Sequence, residues 1–290
     1  MSFRARRRPV SARAMACCVA LALGLGLAHG AQATSPSIVV TYSVDYDGLV
    51  SLDVGRATVQ YSATGAGYQI ALSFRPSSSA RSLSVGPVVA RTSGAISPRG
   101  LSPLSATLDY SVRSLAETRS FTFAGDRLQT VHITKKKSGG LFKEGSTVGY
   151  DPRLLPAYAP LSDGDQKSLL DPLSAMFLPA EGRGDGLDKA NCDRRLRMYD
   201  GRRRFDLVMT YHGVEKAVSG DALICGATYL PIAGHSLDGD EFTRSMREYR
   251  ITVALVPAPG SSFLIPSRIT LLDASGAPVA EAKAIAISGR

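Results

Sequence analysis

The sequence predicts an all-β protein: an antiparallel meander of ten to twelve strands forming a barrel or a strongly curved half-barrel. Three observations carry this prediction. Apolar and polar residues alternate with period 2 in run after run between residues 38 and 288. Turn-forming pairs such as Gly125-Asp126 and Asp200-Gly201 separate those runs. Helical spacing is confined to one stretch, 165–178 (DQKSLLDPLSAMFL), where Pro172 limits the helix to a short one. Many short strands with hardly any helix mean an antiparallel sandwich or barrel.

Composition sets the outer bounds. The chain has 290 residues, 44% apolar and 20% charged, without Trp. It can bury a sizeable core, so wholesale disorder is excluded.

The first 33 residues read as a secretory signal peptide. Arg4, Arg6, Arg7, Arg8 and Arg13 form an acid-free basic head, residues 14–28 an apolar block, and Ala31-Gln32-Ala33 a small-residue cleavage site. The block falls short of the ~20 residues of a membrane span. Arg7-Arg8 is only a weak twin-arginine signal. Cys17 and Cys18 sit too early in the block for a lipoprotein. Cleavage after Ala33 leaves a single β-rich domain, 34–290, with no transmembrane span. The formal net charge falls from +9 to +4, too little to argue for nucleic acid. The expected location is the periplasm.

The strands follow in order. Residues 38–46 and 49–63 open the meander. In 66–75, Tyr68, Ile70, Leu72 and Phe74 share one face. Residues 103–112 form a further strand, and 118–134 a hairpin turning at Gly125-Asp126. After the helical stretch come the hairpin 194–211 and strands at 222–230, 247–256, 263–272 and 278–288, the last two joined by Asp273-Ala274-Ser275-Gly276. Segments 135–165 and 179–193 read as long loops. An outer-membrane barrel is disfavoured, since it needs two aromatic girdles.

The hairpin 194–211 (RRLRMYDGRRRFDLVMTY) is the most informative segment. A two-residue Asp200-Gly201 turn places Tyr199 opposite Arg202, Arg197 opposite Arg204, and Arg195 opposite Asp206. Arg195, Arg197, Arg202 and Arg204 then crowd one face, where facing like charges destabilise a ladder. Three readings stand: a solvated, salt-screened face, an anion-binding site for phosphate or carboxylate headgroups, or contact with a partner protein.

The mature chain keeps two cysteines, Cys192 and Cys225. An even pair in an exported chain reads as a disulfide, the alternative being two separate buried thiols. The spacing does not suit a metal site.

Little else points to chemistry. There is no G-x-S-x-G or H-E-x-x-H. His132, His212 and His235 read as structural, His235 being the freest. Asp238, Asp240 and Glu241 read as a solvated turn rather than a Ca²⁺ loop. Asp171 and Pro172 look like an N-cap and first helical residue. Lys135-Lys136-Lys137 with Lys143 reads as a solvated loop, or else a contact for anionic headgroups or polysaccharide. Arg183-Gly184-Asp185 is disregarded as chance. No catalytic residue, cofactor or metal site is predicted.

Several landmarks together resemble domain-of-unknown-function family 3108 in its alphaproteobacterial form. They are Tyr42…Tyr46-x-Gly48-Leu49…Gly55, Arg91-Thr92-Ser93-Gly94-Ala95-Ile96, Gly100-Leu101-Ser102-Pro103, Asp171-Pro172-Leu173-Ser174-Ala175, Cys192-Asp193, the stretch Tyr199 to Leu207, Cys225 and Gly234. The likeness covers about 38–288. It implies an exported bacterial, periplasmic β-rich domain with a Cys pair, and it implies no reaction.

Two functions are therefore expected. In the first, the curved sheet binds an amphipathic or envelope-derived ligand such as a lipid, apolar faces enclosing the acyl part and basic rim residues meeting its anionic end. In the second, it is a structural or interaction module of the envelope with a protein partner and no small ligand. An enzyme is the least favoured reading.

Overall fold

A computed structural model describes residues 37–47, 51–82, 84–137, 146–182, 186–217 and 220–289. The predicted signal peptide, Lys143 and the Arg183-Gly184-Asp185 tripeptide lie outside them.

The described residues form one antiparallel sheet. Its first half is β1 (Ser37–Asp47), β2 (Ser51–Thr64), β3 (Gly67–Pro76), β4 (Val85–Ser97), β5 (Gly100–Val112), β6 (Leu115–Ala124), β7 (Arg127–Lys137) and β8 (Ser146–Tyr150). After a long connection carrying the two-residue β9 (Leu178–Pro179) come β10 (Arg195–Tyr199), β11 (Arg204–Ala217), β12 (Gly220–Ala233), β13 (Arg250–Pro257), β14 (Phe263–Leu272) and β15 (Pro278–Gly289). The order is β10 through β15, then β1 through β8, with β9 added to β14. The two meanders are thus welded where β15 pairs with β1. The end strands β8 and β10 do not pair with each other, so the sheet is an open half-barrel. No described helix is long and apolar enough to cross a membrane.

Fifteen described strands exceed the predicted ten to twelve; β4, β8 and β9 escaped the pattern. In β4, glycines break the alternation where neighbours come close. A Cβ on Gly94 would lie 2.2 Å from the Ser102 carbonyl oxygen and 2.7 Å from the Tyr68 ring. β8 and β9 are too short to show a period.

The short helix predicted at 165–178 does not form. That stretch holds only 3₁₀ turns, at Gly164–Gln166 and Ser174–Met176. Its backbone is committed elsewhere. Leu170 N–H donates to the Arg197 carbonyl at 2.8 Å and the Leu170 carbonyl accepts from Tyr199 N–H at 2.9 Å, while Leu178 pairs with Leu264 of β14. Asp171 and Pro172 therefore do not start a helix: the turn begins at Ser174, with Leu173 at its N-cap position, and Asp171 Oδ1 instead accepts from Leu173 N and Ser174 N at 2.9 and 3.2 Å. The α-helices among the described residues are α1 (Ser78–Ser82) and α2 (Glu241–Glu248), the latter capped by Asp240.

The connection between β8 and β10 spans the gap between the sheet's ends. Ser168 N–H donates to the Asp126 carbonyl at the β6–β7 turn, and Leu170 covers the free edge of β10, protecting it from unwanted strand pairing. Phe177, from the same connection, enters the concave core. Its ring stacks on Tyr61 at 4.8 Å and meets Phe263 edge-on at 6.5 Å. On the opposite face of β10–β14, Cys192 and Cys225 are joined by a disulfide, with Cα atoms 5.3 Å apart. They sit among Leu196, Met198, Leu223 and Leu255. The middle of β12, the end of β13 and the start of β14 are therefore buried on both faces.

The β10–β11 turn differs from the predicted one. Tyr199 lies opposite Arg204, Arg197 opposite Asp206 and Arg195 opposite Val208. The turn holds four residues because Asp200 Oδ1 accepts from both Arg202 N and Arg203 N, at 2.9 and 2.6 Å, an Asx-type turn that outcompetes the two-residue one. Gly201 keeps the positive φ the turn requires, +86°. Because the slip is two residues, each strand side chain keeps its face.

Candidate functional site

The middle of the concave face is filled by aromatic rings. Toward the β11–β12 turn the inward positions are small instead: Ala222, Ala254 and Ala284 are all buried against the core. Bulges interrupt the pairing near these positions, between Ala254 and Leu255 and between Thr41 and Tyr42 opposite β15, and bulges bend strands. Small side chains and bent strands leave a half-open cleft of about 580 Å³, within the ~300–1,000 Å³ range of small-ligand sites.

The floor of the cleft is apolar, with Ala217, Ala222, Ile224, Ala254, Ala284 and Ile287. Four ionisable side chains border it: Glu215, Lys216, Arg268 and Lys283. Arg268 Nη2 lies 2.9 Å from Glu215 Oε2. Lys216 Nζ lies 2.5 Å from Asp221 Oδ1. Lys283 is exposed and has no ion-pair partner among the described residues.

The predicted arginines lie elsewhere, where the β10–β11 hairpin meets the first half of the sheet. Arg195 and Arg204 both bind the buried Asp206: Arg195 Nε is 2.6 Å from Oδ2, Arg204 Nη1 2.5 Å from Oδ1. Arg197 donates to the Gly164 carbonyl at 2.5 Å. Arg202 lies over the Tyr158 ring, 5.5 Å from its centroid. Arg203 lies in the turn itself. It pairs with Asp200 at 3.3 Å and Asp240 at 3.5 Å, and lies over Phe242.

Asp200 also meets Arg119 of β6, which pairs with Glu117 at 2.6 Å. Burial alone would raise the Asp200 carboxyl, but Arg119 and Arg203 hold it below the usual carboxylate range. Glu117 is likewise lowered: burial, the largest single influence, raises it, but Arg119, Tyr110 and Lys135 together hold it down.

His235, expected to be the freest histidine, is buried. Its Nδ1 is 2.9 Å from Thr243 Oγ1 and its Nε2 3.3 Å from the Arg204 carbonyl. Burial is the main cause lowering its pKa. Gly149 lies close to the His132 ring, and Gly226 to the His212 ring. Lys135 lies over Tyr150 and 3.7 Å from Glu117, while Lys136 and Lys137 are exposed.

Sequence reasoning missed the cleft. Its one local signal was the pair of small residues Ala284 and Ala286 in the last strand, both of which line it. Nothing local showed that Lys283 would face Arg268 across β14 and β15.

A family model, DUF3108, described as a protein of unknown function, matches residues 41–222. The chain belongs to that family. Most of the cleft, including Ile224, Ala254, Arg268 and Lys283, lies beyond the matched stretch. No curated protein matches the chain. Among solved structures, it is similar to a putative outer membrane lipoprotein-sorting protein domain from Vibrio parahaemolyticus. The identity is 9%, with 89% of this chain and 87% of that chain covered, at a TM-score of 0.23. So loose a superposition says nothing of what either protein binds.

Proposed function

We propose that this family member is an exported, periplasmic protein that binds an amphipathic ligand within its half-barrel. The observation that carries the reading is the cleft of about 580 Å³, whose floor is aliphatic and whose border holds three basic side chains. Apolar walls with a few polar groups at the mouth suit a molecule with an aliphatic tail and a charged end. Export is supported by the basic head and short apolar block of residues 1–33, and by the disulfide, which persists in an oxidising compartment.

The test is native mass spectrometry of the full chain expressed with its own N-terminus and recovered from the periplasm, followed by titration with long-chain amphiphiles. The expected result is a bound amphiphile that is lost in Ala284→Leu, a variant that fills the cleft, while circular dichroism still reports a folded β protein. Failure of every amphiphile to bind the unaltered protein overturns the reading.

A second reading, an envelope module without a small ligand, is favoured by the filled middle of the core, where Tyr61, Phe177 and Phe263 leave no room. A clean protein mass that no amphiphile changes supports it.

A further inference from the structure

We infer that the cleft takes an amphiphile with one aliphatic chain and one negative charge, a long-chain carboxylate, its head seated on Lys283. The inference rests on the proposed amphiphile binding and specifies the ligand for the same site.

Two observations set the ligand class. The first is volume. At ~30 Å³ per heavy atom, taking water's share of liquid volume as the yardstick, about 580 Å³ holds roughly nineteen heavy atoms. One chain the length of palmitate fits, whereas the two chains of a diacyl lipid do not.

The second is charge. Of the four ionisable groups bordering the cleft, Glu215 is taken by Arg268 and Lys216 by Asp221. One positive charge remains, on Lys283. It stands directly opposite Arg268 on the neighbouring strand, and facing like charges are unfavourable in a ladder. Glu215 can neutralise only one of the pair. A single carboxylate beside Lys283 balances the other and accepts charge-assisted hydrogen bonds from its ammonium. A dianionic headgroup would leave a second negative charge beside Glu215.

The experiment is isothermal titration of the delipidated, disulfide-bonded protein with palmitate, hexadecanol and dipalmitoyl phosphatidylglycerol, repeated with Lys283→Gln. Lys283 is exposed, so the variant is expected to keep the thermal midpoint. Palmitate is expected to bind tightest. Lys283→Gln should weaken palmitate about tenfold, the scale of a partly solvated charged hydrogen bond, and leave hexadecanol unchanged. The diacyl lipid should bind more weakly than palmitate to both proteins. Equal binding of palmitate and hexadecanol, unchanged palmitate affinity in Lys283→Gln, or a diacyl lipid binding as well as palmitate each overturns the inference while leaving amphiphile binding standing. If none of the three binds, the functional reading falls with it.

Discussion

The Arg119 guanidinium reaches from β6 to the tip of the β10–β11 turn, where its Nη1 lies 3.1 Å from both the carboxylate Oδ2 and the carbonyl oxygen of Asp200. These residues are 81 positions apart and belong to opposite arms of the open sheet. The ion pair fastens one arm to the other. Gly201 packs between them, since a Cβ there would lie 3.1 Å from both the Arg119 Cβ and the Phe121 ring.

Asp200→Asn should therefore loosen the arms. Breaking a largely buried pair from one side strands the other charge, which costs about 3 kcal/mol. Glu117 still faces Arg119 in that variant, whereas Arg119→Leu takes the nearest cation from two acids at once, leaving Asp200 only Arg203 and Glu117 only the more distant Lys135, and should cost more. Urea unfolding of both variants checks the order; equal and small losses would show that the pair does not fasten the sheet.

The buried carboxylates divide into two classes with opposite pH behaviour. Burial pushes Asp171 above the usual carboxylate range, despite hydrogen bonds from Ser174, Thr92 and Leu173. Its contribution is complete below the unfolded pKa of ~3.9 and is lost as pH rises through its folded value. Asp200 and Glu117 are lowered, so theirs is present above the ordinary carboxylate range and lost as pH falls. Asp171→Asn removes the first effect alone. Its stability relative to the unaltered protein should improve as pH rises from 4 to 8, measured by urea midpoints. A difference constant with pH contradicts this assignment.

Reducing the Cys192–Cys225 bond should lower stability by about 3–4 kcal/mol in the chain-entropy model, since 33 positions separate the two residues. At the scale expected for a domain of this size, the thermal midpoint should fall by roughly 10 °C. Calorimetry with and without reductant, alongside Cys192→Ser/Cys225→Ser, measures the change. A protein with both thiols shown free and an unaltered midpoint would refute it.

Phe177 is the aromatic plug carried in by the connection. Phe177→Ala removes its stacking on Tyr61 and leaves a void, at a cost of about 3–5 kcal/mol. Phe177→Leu should lose much less. Denaturant unfolding compares them; a loss below about 1 kcal/mol for the alanine variant would mean that the connection does not fill the core.

Much of the fold was legible because strands write their faces locally. Tyr68 and Ile70, two residues apart, predicted one buried face of β3, and both are buried. The turn at Asp273–Gly276 was legible for the same reason: Asp273 Oδ1 accepts from Ser275 N and Ala277 N. The stretch around Leu170 misled because its helical spacing competed with an edge that no local pattern reveals. The Arg197–Arg204 like-charge conflict dissolved when Asp200 reshaped the turn. The same conflict stands at Arg268 and Lys283, two ordinary strand residues in sequence.

Period, turn chemistry and residue landmarks determined by themselves that this chain is an all-β meander of the DUF3108 family, because each depends only on neighbours along the chain. Which strand closes on which, whether the sheet shuts, and where space is left were decided only by the tertiary structure. Those outcomes depend on contacts between residues far apart in sequence: β15 on β1, Arg119 on Asp200, Phe177 against Tyr61. The cleft exists because alanines on three strands meet where no aromatic ring reaches, and no single strand carries that fact.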